Sequence, residues 1–455
     1  MKDIFQPLIH WERKESGNYI CLMKFYSTNN GNLKTGLKEA VLEGLAKDRG
    51  LFMPETISRL PQSFFEHIDE MSFQDIAIQI SQLIFQDSIE QTEIERMIEK
   101  AITFDAPLVN ISKKTHILEL FHGPSLAFKD FGARFMAQLM AYLIRGNNRN
   151  LTILVATSGD TGGAVAQGFY ETEGIEVIIL YPSGKVSDLQ EKQLTTLGKN
   201  VTALEIDGTF DDCQAMVKEA FMDAELKQKR NLSSANSINI ARLIPQTFYY
   251  FRAYQQLSPE EREKATFVVP SGNFGNLTAG LMAYKMGLPV RQFIAATNIN
   301  DVVPQYLATG VFQPRKSVQT LSNAMDIGNP SNFARMIDLF HKDSNPLDSV
   351  VKGYSFNDQQ TMAAIRQVFE QTGYIIDPHG AVGWLAFQAY LREEPDACGI
   401  ILETAHPAKF LETVESAIGQ EVSVPVRLET FRNKEKNAIF LPPAYEALKQ
   451  FLMND

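Results

Sequence analysis

The sequence predicts an α/β protein built on mainly parallel sheets, with a helical unit at its N-terminus. Six nearly continuous apolar segments alternate with helical segments between residues 151 and 407. Strands without a polar face are typical of parallel sheets that helices cover on both faces. Three of these strands end in unusual turns, and open α/β sheets bind ligands beyond the carboxyl ends of their strands. The fold prediction therefore also predicts where a functional site lies.

The N-terminal part of the chain has a different pattern. Residues 1–22 lack the apolar core of a signal peptide, and we expect a disordered extension that precedes a start at Met23. Residues 23–108 are predicted to form a helical domain without long strands, because 73–85 and 94–102 carry apolar residues at helical spacing. The remaining residues, 109–455, are predicted to form the α/β domain.

The α/β domain is predicted segment by segment from runs of apolar residues and the turns that bound them. The strand-bearing segments are 151–169, 175–184, 201–207, 265–276, 291–299 and 399–407, and helices are predicted over 212–223 and 239–257. The first and fourth of these segments continue past the strand through a glycine-rich turn into a helix.

Composition limits the classes of function. With 455 residues, 44% of them hydrophobic and 21% charged, the chain has a globular composition and room for two or three domains. Its net charge of −11 argues against nucleic acid or an anionic membrane as the main partner. The three cysteines show no metal spacing and favour a reduced, cytoplasmic compartment without a metal site. No apolar run is long enough for a membrane span.

The stretch SGNFGN (271–276) lies between a predicted strand and a predicted helix. Glycines and asparagines there let successive backbone N–H groups turn toward one point, with a helix N-terminus behind them, which favours an anion-binding nest for phosphate. No GK[ST] follows, and the spacing is not GxGxxG, so it is not a familiar nucleotide loop. The alternative is a tight strand-to-helix turn.

The stretch ATSGDTGG (156–163) has the same strand-turn-helix context. The hydroxyls of Thr157, Ser158 and Thr161, with free amides beside them, suit a carboxylate or a second phosphate. Asp160 would repel an anion unless it faces elsewhere or caps the helix. The alternative is a glycine-rich turn with Asp160 as its N-cap.

Lys129 lies inside an apolar run in HGPSLAFKDFGARF (122–135). An amine desolvated among apolar side chains has a lowered pKa and can form a Schiff base with a carbonyl. The alternative is a lysine whose stem is buried and whose ammonium pairs with Asp130 at a helix start. The segment alone leaves both interpretations open.

Two further polar stretches are candidate parts of a site. In ETAHPAKF (403–410), Thr404 is placed to donate to a ring nitrogen, and His406 and Lys409 to meet an anion; the alternative is a capped turn. In SANSINIARLIPQ (234–246), polar residues either begin a helix or line a pocket: Asn236, Ser237, Asn239 and Arg242. His122 and His379, the latter in DPHG, are interpreted as turn residues because no metal partners occur at the right spacing.

Together these stretches predict a buried lysine, a phosphate nest and a hydroxyl-rich loop at one sheet edge. Pyridoxal 5′-phosphate needs an amine for its aldehyde, amides for its phosphate and a partner for its ring nitrogen. The set as a whole therefore points to this cofactor more strongly than any one member does.

At this level of detail the chain resembles the threonine synthases, of the longer bacterial and fungal kind with a helical N-terminal domain. The resemblance implies a two-lobed parallel-sheet fold similar to the tryptophan synthase β subunit (fold type II), with 109–455 as the catalytic domain. The matching stretches are 23–29, 37–55, 119–135, 156–165, 181–193, 233–246, 270–276 and 404–410.

The resemblance also implies the role of each cofactor-binding residue. Lys129 forms the Schiff base with the cofactor, and Thr404 hydrogen-bonds the pyridine nitrogen. The cofactor phosphate is held by Gly272, Asn273, Phe274, Gly275 and Asn276.

For the substrate, the resemblance implies two further groups of residues. Thr157, Ser158 and Thr161 hold the carboxylate. Candidates for the leaving phosphate are Asn236, Ser237, Arg242 and Lys409. Related lyases have asparagine in place of Asp160, although aspartate is usual in threonine synthases.

The implied activity is that of a lyase in amino-acid biosynthesis. It would convert O-phospho-L-homoserine and water to L-threonine and phosphate by γ-elimination and β-hydration, with Lys129 moving the protons. One alternative is a synthase-like phospholyase that releases a 2-oxo acid, ammonia and phosphate. Another is a catalytically silent metabolite-binding protein. The sequence does not decide between a monomer and a homodimer.

Overall fold

The computed structural model describes residues 23–147, 149–157, 159–341 and 345–454. The predictions for residues 1–22, including a start at Met23, lie outside the described residues. No helix in the described ranges is both long enough and apolar enough to cross a membrane.

Fourteen strands are defined within the described residues. They are β1 Lys24–Ser27, β2 Asn30–Gly36, β3 Phe52–Pro54, β4 Leu108–Ser112, β5 Thr115–Glu119, β6 Leu151–Ala156, β7 Ile175–Pro182, β8 Val201–Ile206, β9 Asn231–Ser233, β10 Ala265–Pro270, β11 Gln292–Thr297, β12 Val351–Ser355, β13 Cys398–Glu403 and β14 Ile439–Leu441.

The α-helices of the same residues alternate with the strands from β5 onward. They are α1 Leu37–Glu43, α2 Gln62–His67, α3 Phe73–Phe85, α4 Gln91–Ala101, α5 Lys129–Leu143, α6 Asp160–Phe169, α7 Asp188–Thr195, α8 Phe210–Met222, α9 Ala224–Lys229, α10 Ile240–Leu243, α11 Phe248–Gln255, α12 Pro259–Arg262, α13 Gly275–Lys285, α14 Val302–Thr309, α15 Phe333–Phe340, α16 Leu347–Val350, α17 Asp358–Thr372, α18 Pro378–Glu393, α19 Leu411–Ile418, α20 Val426–Arg432 and α21 Tyr445–Asn454.

Two sheets form the cores of two α/β lobes. In the described residues, the six-stranded sheet has the order β12-β11-β10-β13-β5-β4, and only its edge pair β4–β5 is antiparallel. The five-stranded sheet has the order β14-β8-β7-β6-β9 and is parallel throughout. Strands β6, β10, β11 and β13 are buried along their whole length, as parallel strands covered on both faces must be. The predicted two-lobed α/β fold is confirmed.

Each predicted strand-bearing segment contains a strand. These strands are β6, β7, β8, β10, β11 and β13. The helix predicted over 212–223 is α8, whereas 239–257 divides into α10, a 3₁₀ turn at Ile244–Thr247 and α11. The division falls at Pro245, which has no N–H to donate and does not continue an α-helix.

The N-terminal unit contains the predicted helices, α3 and α4. It also contains a three-stranded antiparallel sheet of order β2-β1-β3, so the expectation of a unit without long strands was wrong. The seven residues of β2 are mostly polar and exposed, and they form a strand by pairing with β1 rather than through an apolar pattern of their own. The predicted boundary after residue 108 falls inside β4.

The six-stranded sheet brings three strand ends to one place. Strands β5, β13 and β10 are adjacent, and parallel strands lie about 4.8 Å apart. Glu119 is beside Glu403 and Val268 is beside Ile401, so the three strands end level with one another. Helix α5, which follows β5, packs against α6 of the other lobe. The carboxyl edges of both sheets therefore meet at the start of α5.

Candidate active site

Lys129 is the first residue of α5 and lies beside the end of β13. The segments 126–128 and 404–406 pair through their backbones: the Phe128 N–H donates to the Thr404 carbonyl at 2.9 Å, and the His406 N–H donates to the Leu126 carbonyl at 3.1 Å. Ala127 and Ala405 form an antiparallel bridge between these two contacts. Lys129 is thus one residue from a direct contact with Thr404, as predicted.

The Lys129 ammonium faces a carboxylate of the opposite lobe. Its Nζ lies 3.8 Å from Asp160 Oδ2, and its side chain is only 17% exposed. Asp130 does not pair with it, because Asp130 accepts the Ser125 N–H at 2.8 Å on its own side of α5. The alternative that paired Lys129 with Asp130 was wrong.

Asp160 is held by two further groups. Its Oδ1 lies 2.5 Å from Lys409 Nζ and accepts from Gln190 Nε2 at 3.0 Å. The cap of α6 is Gly159, and the Asp160 side chain makes no capping hydrogen bond, so the alternative of Asp160 as N-cap was also wrong. Asp160 is a buried counterion for two lysines.

Burial and the neighbouring charges together set the pKa values of Lys129 and Asp160. Burial lowers the pKa of Lys129, and the positive charges of Lys409 and Arg242 lower it further, while Asp160 opposes them. Burial raises the pKa of Asp160, but Lys409 and Lys129 outweigh burial and hold that pKa below its usual value. Asp160 is therefore ionised at neutral pH, and more of Lys129 is a neutral amine than in an exposed lysine.

The loop at 271–276 presents unpaired backbone donors. Within the described residues, no backbone N–H from Gly272 to Asn276 donates to a protein acceptor. Phe274 adopts the left-handed conformation, with φ of 61°, and α13 begins immediately after it. Consecutive amides in this geometry at a helix N-terminus form the predicted anion-binding nest.

The base of this loop is fixed by buried polar contacts. Asn276 Oδ1 accepts the hydroxyls of Tyr249 at 2.7 Å and Tyr250 at 2.8 Å, while its buried Nδ2 has no partner among the described residues. A buried donor without an acceptor is costly, so Asn276 is positioned for an anion or water that completes it. The nest fits the phosphate of pyridoxal phosphate.

Three residues connect the loop to its neighbours. Asn273 Nδ2 donates to Ser237 Oγ at 2.7 Å, and Asn332 Nδ2 donates to the Asn273 carbonyl at 3.0 Å. Ser237, a predicted candidate for the leaving phosphate, therefore contacts the loop, and so does Asn332.

Arg242, on the polar stretch 234–246, packs its side chain against α5. It is 3% exposed, its Nη1 donates to the Ala235 carbonyl at 2.6 Å, and its Nε has no partner among the described residues. A methyl group on Gly132 would lie 2.8 Å from this Nε, which places the guanidinium against the first turn of α5. The half-buried Asn236 precedes Ser237 on the same stretch.

The loop after β6 is held by hydrogen bonds between its own residues. The Thr157 hydroxyl accepts the N–H groups of Gly159 at 3.0 Å and Gly162 at 2.8 Å, and Thr157 is 1% exposed. Its hydroxyl is thus committed to the turn, whereas the amides of Asp160 and Thr161 donate to no described protein acceptor. Ser158 lies outside the described residues. The geometry leaves Thr161 and these two amides available to an anion.

Lys409 and His406 do not face an open anion site. The Lys409 side chain is 1% exposed, and its Nζ contacts Asp160 and donates to the Ser125 carbonyl at 3.0 Å. Burial lowers the pKa of His406 to about 4, so its ring is neutral at physiological pH. The sequence did not indicate the Lys409–Asp160 pair, nor Gln190, which lies in the matching stretch 181–193 without an assigned role.

The site combines a buried amine next to the end of β13, an amide-lined turn after the adjacent strand β10 and a hydroxyl-rich loop of the other sheet, which are the features of a pyridoxal-phosphate-dependent enzyme. The family described as pyridoxal-phosphate dependent enzyme matches residues 107–402. The families described as threonine synthase N terminus and threonine synthase, C-terminal match residues 24–102 and 380–452. The chain belongs to the threonine synthase family.

Individual relatives agree with this assignment. The threonine synthase of Escherichia coli is 44% identical over 435 residues, covering 95% of this chain and all of the relative. That of Saccharomyces cerevisiae is 37% identical over 87% of this chain and 89% of the relative.

Solved structures agree as well. The crystal structure of the Escherichia coli enzyme aligns with a TM-score of 0.88 at 43% identity, over 95% of this chain and all of that one. A pyridoxal-phosphate-bound threonine synthase from Brucella melitensis aligns with a TM-score of 0.89 at 34% identity, over 95% of this chain and 99% of that one.

Gly272→Ala is expected to weaken cofactor binding about 10-fold, because overpacking of this kind costs roughly 1–3 kcal/mol. The new methyl group would lie 2.5 Å from the Ala324 carbonyl oxygen and 2.8 Å from Met325 Cα, both backbone atoms that must move. Equilibrium titration of the apoprotein with pyridoxal phosphate measures the change. Gly36→Ala, which meets nothing within 4 Å, is the matched control. Equal affinities in the two variants would contradict the role of Gly272.

Proposed function

We propose that this chain converts O-phospho-L-homoserine and water to L-threonine and phosphate. The observation that carries the proposal is the position of Lys129. Its amine lies 3.8 Å from Asp160 of the hydroxyl-rich loop after β6, and the residue before it, Phe128, donates its N–H to the Thr404 carbonyl at the end of β13. Arg242 and Ser237 lie on a stretch that joins α5 to the phosphate nest. This arrangement supports a substrate with a carboxylate at one end and a phosphate at the other.

The cofactor is assigned to this chain's own residues as follows. Lys129 would hold its aldehyde, the amides of 272–276 and Asn276 would hold its phosphate, and the Thr404 hydroxyl, which has no described protein partner, would donate to its ring nitrogen. When bound, the group supplies a ring that delocalises negative charge at the substrate carbon. A neutral hydroxyl next to the nitrogen leaves that nitrogen largely unprotonated.

The substrate is assigned to two groups of donors. Thr161, with the free amides of Asp160 and Thr161, is proposed to hold the carboxylate, and Ser158 keeps its predicted role there. Arg242, whose Nε is unpaired, is proposed to hold the leaving phosphate with Asn236 and Ser237. Lys409 is excluded from that role because its ammonium is already buried against Asp160.

Lys129 is proposed to move the protons of the reaction. Its Nζ takes the proton from the substrate Cα and, once it has given that proton up, takes another from Cβ as phosphate leaves Cγ. Protons then return from Nζ to Cγ and to Cα, while water adds its hydroxyl at Cβ and its remaining proton goes to the released phosphate. A lowered pKa favours this work, because a base is most effective when much of it is unprotonated near the working pH. One amine serves both carbons since they are adjacent.

Product identification tests the proposal. The holoenzyme is expected to release threonine and phosphate in equal amounts from O-phospho-L-homoserine. Ammonia and a 2-oxo acid released in the same amount as phosphate would instead identify the phospholyase alternative. A holoenzyme that consumes no substrate would contradict both activities.

A further inference from the structure

A cluster of buried ionisable side chains surrounds Glu403, the residue that precedes Thr404. Glu403, the last residue of β13, is fully buried, and so are Asp377 and His379 at the start of α18. Glu119, the register partner of Glu403, ends the neighbouring strand β5. None of these residues has a role in the proposed reaction. His379 belongs to the DPHG stretch that the sequence suggested was only a turn.

Glu403 is held in a way that suits a neutral carboxylic acid. Its Oε1 accepts the Asp377 N–H at 2.6 Å, whereas its Oε2 has no partner among the described residues. A methyl group on Gly380 would lie 1.7 Å from that Oε2, so the backbone at Gly380 encloses it. An ionised carboxylate enclosed with a single donor would be strongly destabilising.

The groups around Glu403 also favour its neutral, protonated state. Glu119 faces it from β5 and accepts from the Tyr374 hydroxyl at 2.9 Å, while its other oxygen contacts His122 at 2.8 Å. Burial raises the pKa of Glu403 well above its usual value, and the charges of Asp377 and Glu119 add to this. The Tyr374 hydroxyl also faces this group, and because burial raises its pKa well above the usual value it is neutral at physiological pH.

Asp377 and His379 connect Glu403 to the segment that packs against the 271–276 loop. Asp377 Oδ2 accepts from His379 Nδ1 at 2.6 Å, and His379 Nε2 accepts the Ala324 N–H at 3.3 Å. With Nε2 as an acceptor, the ring proton lies on Nδ1 and points at Asp377. Ala324 in turn lies against Gly272, since a methyl group there would be 2.5 Å from the Ala324 carbonyl.

We propose that Glu403, as a neutral acid, together with Asp377 and His379 forms a positioning relay between Thr404 and the backing of the 271–276 loop. The relay fixes two contacts of the cofactor, at its ring nitrogen and at its phosphate, and keeps negative charge away from that nitrogen. This inference rests on the proposed roles of Thr404 and the loop. The three residues touch neither cofactor nor substrate and act through the residues that do.

Three variants of the holoenzyme test the relay. Glu403→Gln keeps the acceptor and the neutral charge, so we expect cofactor affinity within about 2-fold of the parent and an unchanged pH titration of the cofactor absorbance. Glu403→Ala and His379→Ala each leave a buried N–H without its acceptor, at Asp377 and Ala324. Both are expected to raise the dissociation constant of pyridoxal phosphate about 10-fold, as the loss of one buried hydrogen bond predicts.

A control separates positioning from general loss of stability. Leu448→Ala removes a fully buried side chain of α21 in the other lobe, so it is expected to lower the melting temperature without changing cofactor affinity. A shift of about one unit in the absorbance titration of Glu403→Gln would show that Glu403 is ionised and overturn the neutral acid. Parent-like affinity in either alanine variant would overturn the positioning role.

The relay and the proposed function fail in different measurements. Cofactor affinity and absorbance are read without substrate, whereas the proposed function is read from the products. If Glu403→Ala and His379→Ala weaken cofactor binding while the parent releases no threonine, the relay stands and the reaction assignment falls.

Discussion

Lys129→Ala is expected to lower threonine formation at least about 1,000-fold and to abolish the absorbance of the Schiff base with the cofactor. The loss combines two effects, because the same Nζ both binds the aldehyde and moves the protons, and a positioned base alone contributes roughly 100- to 10,000-fold. Absorbance spectra of the reconstituted variant and product assays measure the two effects separately.

Two other lysines serve as controls for Lys129→Ala: one far from the proposed chemistry and one beside Asp160. Lys352→Ala changes an exposed lysine whose Nζ pairs with Glu393 at 2.7 Å, and it should keep both absorbance and activity. Lys409 is the lysine on the other side of Asp160, so it is the nearest alternative to Lys129. If the absorbance survives Lys129→Ala but disappears when Lys409→Met is added, Lys409 forms the Schiff base and our assignment to Lys129 is wrong. A small primary amine should restore part of the proton transfer if Lys129 acts as the base.

Much of the sheet architecture follows from the sequence because buried parallel strands carry their own signal. Strands β6, β7, β8, β10, β11 and β13 are continuous apolar runs, so each was predictable. The strands β9 and β14 have three residues each and lie at the two edges of the five-stranded sheet. They form by pairing with a neighbouring strand, and their own sequences carry no pattern that predicts a strand. The same holds for β2 in the N-terminal unit.

The candidate site, like the sheets, has parts that the sequence predicts and parts that it does not. The sequence predicts a lysine, the 271–276 loop and the hydroxyl-rich loop at one sheet edge, because the carboxyl ends of parallel strands share an edge. In the structure, the 271–276 loop and Thr404 follow adjacent strands of the six-stranded sheet, whereas the hydroxyl-rich loop follows β6 of the five-stranded sheet. The partner of the Lys129 ammonium was not predictable, since Asp160 belongs to the other sheet and the packing of the two lobes decides the contact. Local charge favoured Asp130, which instead caps the turn at Ser125. Contacts between lobes depend on packing that no short stretch encodes.

Lys409 shows how such packing changes an interpretation. From its sequence position it was a candidate for the leaving phosphate, but the structure buries it against Asp160 Oδ1 at 2.5 Å. Asparagine at the position of Asp160 would need no counterion, whereas a buried aspartate does. We therefore interpret Lys409 as the residue that permits a carboxylate beside Lys129.

Lys409→Met is expected to lower the free energy of unfolding by about 3 kcal/mol, since breaking a buried ion pair costs roughly 3–5 kcal/mol and Lys129 remains as a weaker partner. The side chains of Lys409 and Asp160 are 1% and 8% exposed, so solvent does not screen the loss. Chemical denaturation of parent and variant at neutral pH and equal cofactor concentration measures it.

The pH dependence of this effect has a definite sign. Because the folded pKa of Asp160 lies below its unfolded value of about 3.9, the carboxylate contributes its full stability at neutral pH. That contribution is lost as the pH falls through the folded pKa. The difference between parent and Lys409→Met should therefore be largest near neutrality and shrink on acidification.

Asp160→Asn completes a double-mutant cycle with Lys409→Met. An amide in place of the carboxylate needs no counterion, so Asp160→Asn with Lys409→Met should recover much of the stability that Lys409→Met alone loses, with a coupling energy of about 2 kcal/mol. Lys352→Met removes an exposed pair of the same type and should cost less than about 1 kcal/mol. If the double variant is no more stable than Lys409→Met, the two side chains are not coupled, and the leaving phosphate again becomes the explanation for a lysine at position 409.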